Sequence, residues 1–266
     1  MMVTSSVVLV DRPAPHVARL LINRPDKRNA IDFDVRQALI DALGDVLADA
    51  QCRALVFGGV GGVFSAGGDV PSMLGLTLGE ARSRMQHIHV LCRLVAGAGI
   101  PVVSAIEGIG AGAAIGLALL GDYIVVGAGS KILFPFMKLG LTPDWGTLLT
   151  LPRRVGLPAA RRILTAGAPV TGPEALSIGL ADEQVSDAQV MAVAVSKASA
   201  WAQLPIGAFA RMKDRLHNVS GSLSEELSRE ENDQAVCLLS DEFVEGHAAF
   251  IEKRAADFVA LPGARK

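Results

Sequence analysis

The sequence predicts an α/β fold that ends in a helical tail. Three observations predict it. Short apolar runs bounded by glycine alternate with segments of helical periodicity up to about residue 200, and from Pro205 onward the pattern is almost wholly helical. Two of the strand-like runs open into glycine-rich loops of the same build, Gly61–Asp69 and Glu107–Ala114. Half of the 266 residues are apolar and only 5% are aromatic, so the core is expected to be aliphatic and rich in alanine. That length suits one large domain or two small ones.

In order, Val7–Val10 and Val17–Ile22 read as two strands joined by a turn around Pro13 and Pro15. Asn23–Asn29 is a polar loop. Asp32 or Asp34 can cap a helix reaching Ala48, whose apolar residues Val35, Ala38, Leu39, Ala42, Leu43, Val46 and Leu47 recur at helical spacing. Ala54–Phe57 reads as a buried strand feeding the first glycine loop. Pro71–Leu78 is irregular and leads into a helix from about Gly79 to Ala96. Val102–Ile106 is the next strand, followed by the second glycine loop and an apolar helix to about Leu120. Tyr123–Val126 and Ile132–Phe134 read as strands. Leu148–Leu151, Ala159–Thr165 and Pro173–Ile178 are short helical pieces between Pro and Gly breaks. Asp187–Ala202 is a longer helix stopped before Pro205. The periodicity shows no internal repeat.

Composition excludes several functions. A net charge of −2 gives no bulk electrostatic case for nucleic acid or an anionic membrane. Cys52, Cys92 and Cys237 are odd in number and widely spaced, which is neither a disulfide framework nor a zinc pattern and suits a reducing cytoplasm. Met1–Val10 has no basic segment ahead of its apolar residues, so no signal peptide is expected. The uncharged run Gly108–Gly121 is too short and too glycine-rich to span a bilayer. His87 and His89 are two residues apart on one helix and face different ways, so a shared metal is not expected.

Two motif readings also fail. Gly108-x-Gly110-x-x-Ala113 fits the dinucleotide fingerprint, but no acid closes the next strand; Asp122 precedes it and the following acid is Asp144. Ser65 lacks the glycine two residues earlier that a nucleophile elbow needs, since Val63 stands there.

What remains is a pair of loops able to aim two backbone N–H groups at one oxygen, the second at the start of a helix. The motifs around them resemble those of the enoyl-CoA hydratase/isomerase, or crotonase, superfamily over nearly the whole chain. They are N-R-P-D-K-R-N-A at Asn23–Ala30, F-S-A-G-G-D at Phe64–Asp69 and P-V-V-S-A-I-E-G at Pro101–Gly108. L-G-L-T-P-D-W-G-T at Leu139–Thr147, L-P-R-R-V-G at Leu151–Gly156, G-P-E-A-L-S-I-G-L at Gly172–Leu180 and F-I-E-K-R at Phe250–Arg254 follow. The resemblance implies a repeated β-β-α core over residues 1–200 and a helical oligomerisation region over 201–266. It implies an acyl-CoA thioester as substrate, no separate cofactor, and a homotrimer or dimer of trimers.

It also implies roles for particular residues. The oxyanion donors would be the N–H groups of Gly68 and Ala113, with Gly112 as the adjacent alternative. Lys27, Arg28 and Ala66 would line the CoA. Phe250 and Lys253, in a terminal helix spanning Glu245–Phe258, would meet the CoA of a neighbouring subunit. The two glutamates of family hydratases fall on Gly116 and Phe136, neither of which moves a proton. Asp144 occupies the position where one group of family isomerases carries its acid, with Phe136 and Trp145 as apolar pocket walls. Read without the family, Asp144 is an ordinary turn or cap aspartate. Three readings therefore stand: an isomerase working through Asp144, a weak or silent acyl-CoA binder, and a hydratase with atypical acids. Asp69 is expected to cap a helix or brace its loop, and Glu107 is either paired or near the site.

Overall fold

The computed structural model describes residues 7–261. Most of the Met1–Val10 stretch and the last five residues of the tail lie outside the described residues.

The chain opens with a hairpin, β1 (Val8–Ala14) and β2 (Val17–Ile22), which pair antiparallel. Pro13 is tolerated because β1 is the edge of its sheet and owes no ladder bond on its outer side. Helix α1 (Phe33–Ala48) follows, and Asp32 rather than Asp34 caps it, accepting the Val35 N–H at 3.0 Å. Then come β3 (Ala54–Gly59) and α2 (Leu78–Ala96). α2 starts at a capping box in which Thr77 and Glu80 satisfy each other's backbone N–H groups.

The middle of the chain alternates long and short strands: β4 (Val102–Ile106), β5 (Ile109–Ala111), α3 (Ala113–Ala118), β6 (Tyr123–Gly127) and β7 (Lys131–Leu133). Helices α4 (Thr147–Val155) and α5 (Leu157–Ala166) lead to β8 (Val170–Thr171), α6 (Gly172–Ser177) and β9 (Glu183–Val185). The remainder is α7 (Val190–Trp201), α8 (Ile206–His217), α9 (Leu223–Leu238) and α10 (Asp241–Glu252).

Six strands form one sheet in the order β1-β2-β3-β4-β6-β9, parallel from β2 onward. Three short strands form a second sheet, β5-β7-β8. The chain crosses between the sheets by leaving a long strand and entering a short one, as at β4–β5 and β6–β7. Ser65 bridges to Gly110, so the loop after β3 makes the same crossing. This is the repeated β-β-α plan that the resemblance implied. The primary structure hides it because the second strand of each unit is three residues or a single bridge, too short to show a period.

The large sheet is buried on both faces. Leu55 and Phe57 face the cluster of α1 and α2, containing Leu39, Leu43, Ile88 and Leu91. Val56, Val103 and Ala105 face α7 through Val190, Ala194 and Ala198. The alanines of α7 let helix and sheet approach closely, which is where the aliphatic composition goes. α8 is tied to this core by a nearly buried pair, Lys213 Nζ to Asp122 at 2.7 Å, and Asp122 also accepts the Val102 N–H. Glu242 of α10 accepts the N–H groups of Gly207 and Ala208, capping α8 from outside its own helix.

The tail departs from expectation at its end. The terminal helix runs 241–252, not to Phe258. Lys253 takes a left-handed conformation (φ 55°) and stops it, and Arg254 folds back onto Glu245 and Glu252. Asp187–Gln189 is likewise a 3-10 turn, and α7 proper begins at Val190.

Candidate active site

Both glycine loops emerge from the C-terminal ends of adjacent parallel strands, β3 and β4, where open α/β sheets place their ligands. The loops are knitted together by backbone. Phe64 and Ser65 donate to Glu107 and Ile109, and Ala111 donates back to Ser65 at 3.0 Å. Gly67 has φ +90°, and a Cβ there would stand 2.4 Å from the Ala111 carbonyl oxygen. Only glycine lets the two loops touch.

This contact leaves two N–H groups free. Gly68 lies one residue beyond the touching point, and its N–H donates to no acceptor among the described residues. Ala113 is the first residue of α3, so its N–H has no intrahelical partner. A Cβ built on Gly68 would be 4.0 Å from the Ala113 Cβ, which puts the two residues side by side. Gly112 is a different case. Its N–H donates to the Leu133 carbonyl at 2.9 Å, so it is already used and drops out as the alternative donor. No reading of local sequence could exclude it, because Leu133 is in another strand.

The donors line a cleft of about 60 Å³ with Ile31, Ala66, Val70, Met73, Arg84, Phe136, Leu141, Asp144 and Trp145. Of the residues singled out in the sequence, Gly68, Ala113, Ala66, Phe136, Trp145 and Asp144 thus meet in one place. Lys27 and Arg28 are exposed on a loop whose register is fixed to the cleft, since the Ala66 N–H donates to the Arg28 carbonyl at 2.8 Å. Fully buried Asn29 clamps that loop by donating to the carbonyls of Val60 and Val63. Phe250, 81% exposed, and Lys253 do not line the cleft of their own chain.

A larger hollow of about 680 Å³ lies between the end of α1, the end of α2, α8 and α9. Arg211 and Asp233 in its lining are paired with each other, and no loop donor faces it.

The cleft carries one acid. Asp144 stands in a turn in which Thr147 N–H donates to its carbonyl, followed by Trp145 and Gly146 in left-handed conformations. A left-handed tryptophan is a strained choice that the surroundings must hold. Burial pushes the Asp144 carboxyl up from 3.8 to about 6, against weaker opposition from a backbone hydrogen bond and from Arg84. One of its oxygens, Oδ1, is buried without a hydrogen-bond partner. An acid raised in this way is suited to proton transfer near neutral pH, and its Oδ1 is a buried polar atom that the fold leaves unsatisfied.

The position of the first hydratase glutamate is physically filled. A Cβ at Gly116 would stand 2.5 Å from the Trp145 Cβ and 2.9 Å from Thr147 Oγ1. The turn that carries Asp144 occupies the space a side chain would need. Phe136, 5% exposed, puts its ring beside Gly112 instead of an acid.

Other candidates resolve into structural parts. Ser65 donates its hydroxyl to Asn29 and accepts the Gly67 N–H, with no histidine involved. Asp69 braces its loop through its own N–H to Ile31, and its side chain caps nothing. Glu107 lies outside the cleft lining; burial raises its pKa and Arg19 opposes that rise. His87 stacks on Phe33 and meets Arg36 and Gln37. Among the described residues no group of three or more His, Cys, Asp or Glu could hold a metal, and no helix is long and apolar enough to cross a membrane.

Sequence reasoning missed Arg84 and Cys92, both on α2. Burial pushes the Cys92 thiol up to about 12, with the Asp144 charge adding to the rise, so it is an unreactive thiol behind the cleft lining. A helical charge pattern such as E-A-R-S-R gives no sign of which arginine turns inward.

The α/β scaffold thus brings paired strand-end glycine loops, two backbone N–H groups and one buried acid to a single cleft. Comparison with known proteins carries this further. The enoyl-CoA hydratase/isomerase family model matches residues 14–260, and the chain belongs to that family. It is 30% identical over 243 residues to a probable enoyl-CoA hydratase of Rhodobacter capsulatus, covering 91% of this chain and 94% of that one. It is 29% identical over 249 residues to the 1,2-epoxyphenylacetyl-CoA isomerase of Escherichia coli, again covering 91% and 94%. The crystal structure of an enoyl-CoA hydratase from Bacillus anthracis shares the fold, with a TM-score of 0.89 at 24% identity, over 96% of this chain and all of that one.

Proposed function

We propose that the protein is an acyl-CoA enzyme of the isomerase type, in which Asp144 alone moves the proton. The observation that carries this reading is the exclusion at Gly116. The two-glutamate hydration mechanism has no first acid and no room for one, whereas a buried, partly unsatisfied carboxylate stands in the same cleft as two free N–H groups.

The chemistry follows from the thioester. Loss of its C2 proton puts negative charge on the carbonyl oxygen. Two fixed N–H donors, those of Gly68 and Ala113, stabilise that charge without reorganising, and one such donor is typically worth about 10²–10³ in rate. Asp144 takes the C2 proton of a 3-enoyl thioester and returns a proton to C4, so one carboxylate suffices and no water enters the product. The apolar walls at Phe136 and Trp145 keep water from quenching the dienolate.

The nucleotide part of CoA runs along Lys27, Arg28 and Ala66. Phe250 and Lys253 serve a neighbouring subunit, which suits an aromatic ring left 81% exposed. The helical region 201–266 holds a trimer or a dimer of trimers together. Leu239, Val244 and Ile251 stand exposed there, and α9 contributes no buried residue within its own chain. A stable monomer in light scattering with full CoA affinity removes the assembly part.

The test of the reaction is a 3-enoyl-CoA panel assayed with wild type and Asp144→Asn, which keeps shape and removes the base. Isomerisation is expected to fall by about 10²-fold or more, with saturated acyl-CoA binding retained and little 2-enoyl-CoA hydration by wild type. Equal rates would make Asp144 a turn residue. Binding without any turnover by wild type would make the protein a silent acyl-CoA binder.

A further inference from the structure

Among the described residues that line the cleft one is a cation, Arg84, and no carboxylate pairs with it. Arg84 of α2 lines the wall together with Gly68, Ala113 and Asp144. Its Nη1 donates to the Ser72 hydroxyl at 3.3 Å, and no carboxylate of the described residues pairs with it. Its Nη2 lies 3.9 Å from where a Cβ on Gly68 would sit, so the guanidinium stands beside the first donor loop. Asp144 is near enough to sense its charge but makes no ion pair with it.

A second guanidinium lies near it. Arg36 of α1 is 2% exposed and also lacks a carboxylate partner within ion-pair distance. Its Nε donates to the His87 ring at 3.3 Å, and its Nη1 is buried with no acceptor at all. Burial first, and the Arg84 charge second, bring Arg36 down to about 10. Asp32, whose charge favours Arg36, is held by Arg24 at 2.8 Å. Arg84 therefore lines the cleft with a second positive group, Arg36, packed behind it outside the lining, and neither has a carboxylate within ion-pair distance among the described residues. The rest of the lining is largely apolar, with Ile31, Val70, Met73, Phe136 and Leu141 among it.

A plain hydrocarbon chain laid into this cleft would cover Arg84 without pairing it, and a desolvated unpaired guanidinium is costly. A carboxylate is the group whose geometry matches the guanidinium fork. We propose that Arg84 receives a carboxylate carried by the acyl group, so that the preferred substrates are short ω-carboxyacyl thioesters rather than simple fatty acyl chains. The small cleft, about 60 Å³, sets the shortness. This assignment rests on the reading of Gly68 and Ala113 as the thioester site, because that fixes which end of the acyl group reaches Arg84.

The experiment is calorimetric binding, which needs no turnover. Wild type is titrated with succinyl-CoA and glutaryl-CoA and with the neutral butyryl-CoA and hexanoyl-CoA. The carboxylated pair is expected to bind about tenfold tighter or more, the scale of a charge-assisted hydrogen-bonded pair. Arg84→Gln should abolish that preference by weakening the carboxylated pair while leaving neutral acyl-CoA affinity equal or tighter; Arg84→Lys should keep part of the preference. Thermal unfolding of both variants controls for the fold, and the wild-type preference stands as a test even if neither variant folds. Equal binding of both classes by wild type overturns the proposal and leaves the thioester site intact. Equal weakening of both classes by Arg84→Gln assigns Arg84 to the CoA moiety or to the fold instead. If neither class binds, the acyl-CoA reading fails and the proposal fails with it.

Discussion

The two walls of the cleft are built in opposite ways. The donor wall is densely bonded: the loops of Gly67–Gly68 and Gly112–Ala113 are cross-bonded and the Gly112 N–H is used, while the N–H groups of Gly68 and Ala113 have no acceptor among the described residues. The acid wall is unsettled. Asp144 keeps a buried oxygen without a partner, Thr147 has a buried hydroxyl without one, and Trp145 between them is left-handed. Natural structures concentrate unsatisfied polar groups and strain where they are used. The difference teaches that the donor wall is a rigid platform fixed by folding. The acid wall keeps unsatisfied polar atoms and a left-handed tryptophan that the surrounding fold must hold in place.

The comparison is broken most severely from the donor side. Gly68→Pro deletes one N–H, and it should lower kcat by about 10²–10³ with a small change in Tm. A folded variant with unchanged turnover would show that Gly68 is not a donor. The nearest obstacle to a new Cβ there is the end of the flexible Met73 side chain.

On the acid side, Gly116→Glu reinstates the hydratase acid in name only. Its Cβ meets the Trp145 and Thr147 turn, and overpacking of this kind costs on the order of 3 kcal/mol. Urea unfolding should show that loss, and 2-enoyl-CoA hydration should not appear. Efficient hydration by a variant of wild-type stability would mean that the turn yields and that the exclusion argument is wrong.

A smaller effect separates stored cost from structural support. Asp144 holds its proton more tightly folded than unfolded, about 6 against 3.8. That contribution to stability is present at pH 4 and is lost as pH rises towards 6. Above that, the ionised buried carboxylate is a burden of roughly 1–3 kcal/mol. Asp144→Asn should therefore raise Tm at pH 8 and give no gain at pH 4. A variant less stable at pH 8 would identify the aspartate as a structural turn residue.

Much of this architecture was legible in the primary structure, and what was not has identifiable causes. The strand–glycine-loop pairs are local and could be read directly, the cap was narrowed to Asp32 or Asp34 until the Val35 N–H decided it, and the emptiness of the hydratase positions followed from the family resemblance. β5, β8 and β9 were invisible because two or three residues show no period. The choice between Gly112 and Ala113 as donor depended on a bond from a distant strand. So did the meaning of Gly116, which reads as a lost acid in sequence and as a site occupied by Trp145 in space. Arg84 was missed because only packing distinguishes it from the surface arginines of its helix.

The central claim is that a single carboxylate with a raised pKa is the proton shuttle. The most direct measurement is kcat/KM for 3-enoyl-CoA isomerisation against pH, for wild type and for Asp144→Asn. A base must be ionised to work, so the wild-type rate should climb about tenfold per pH unit at low pH and level off above about 6. Asp144→Asn should give a low rate without that inflection. A wild-type profile that is flat between pH 5 and 8, or a variant that retains both the rate and the inflection, would contradict the account.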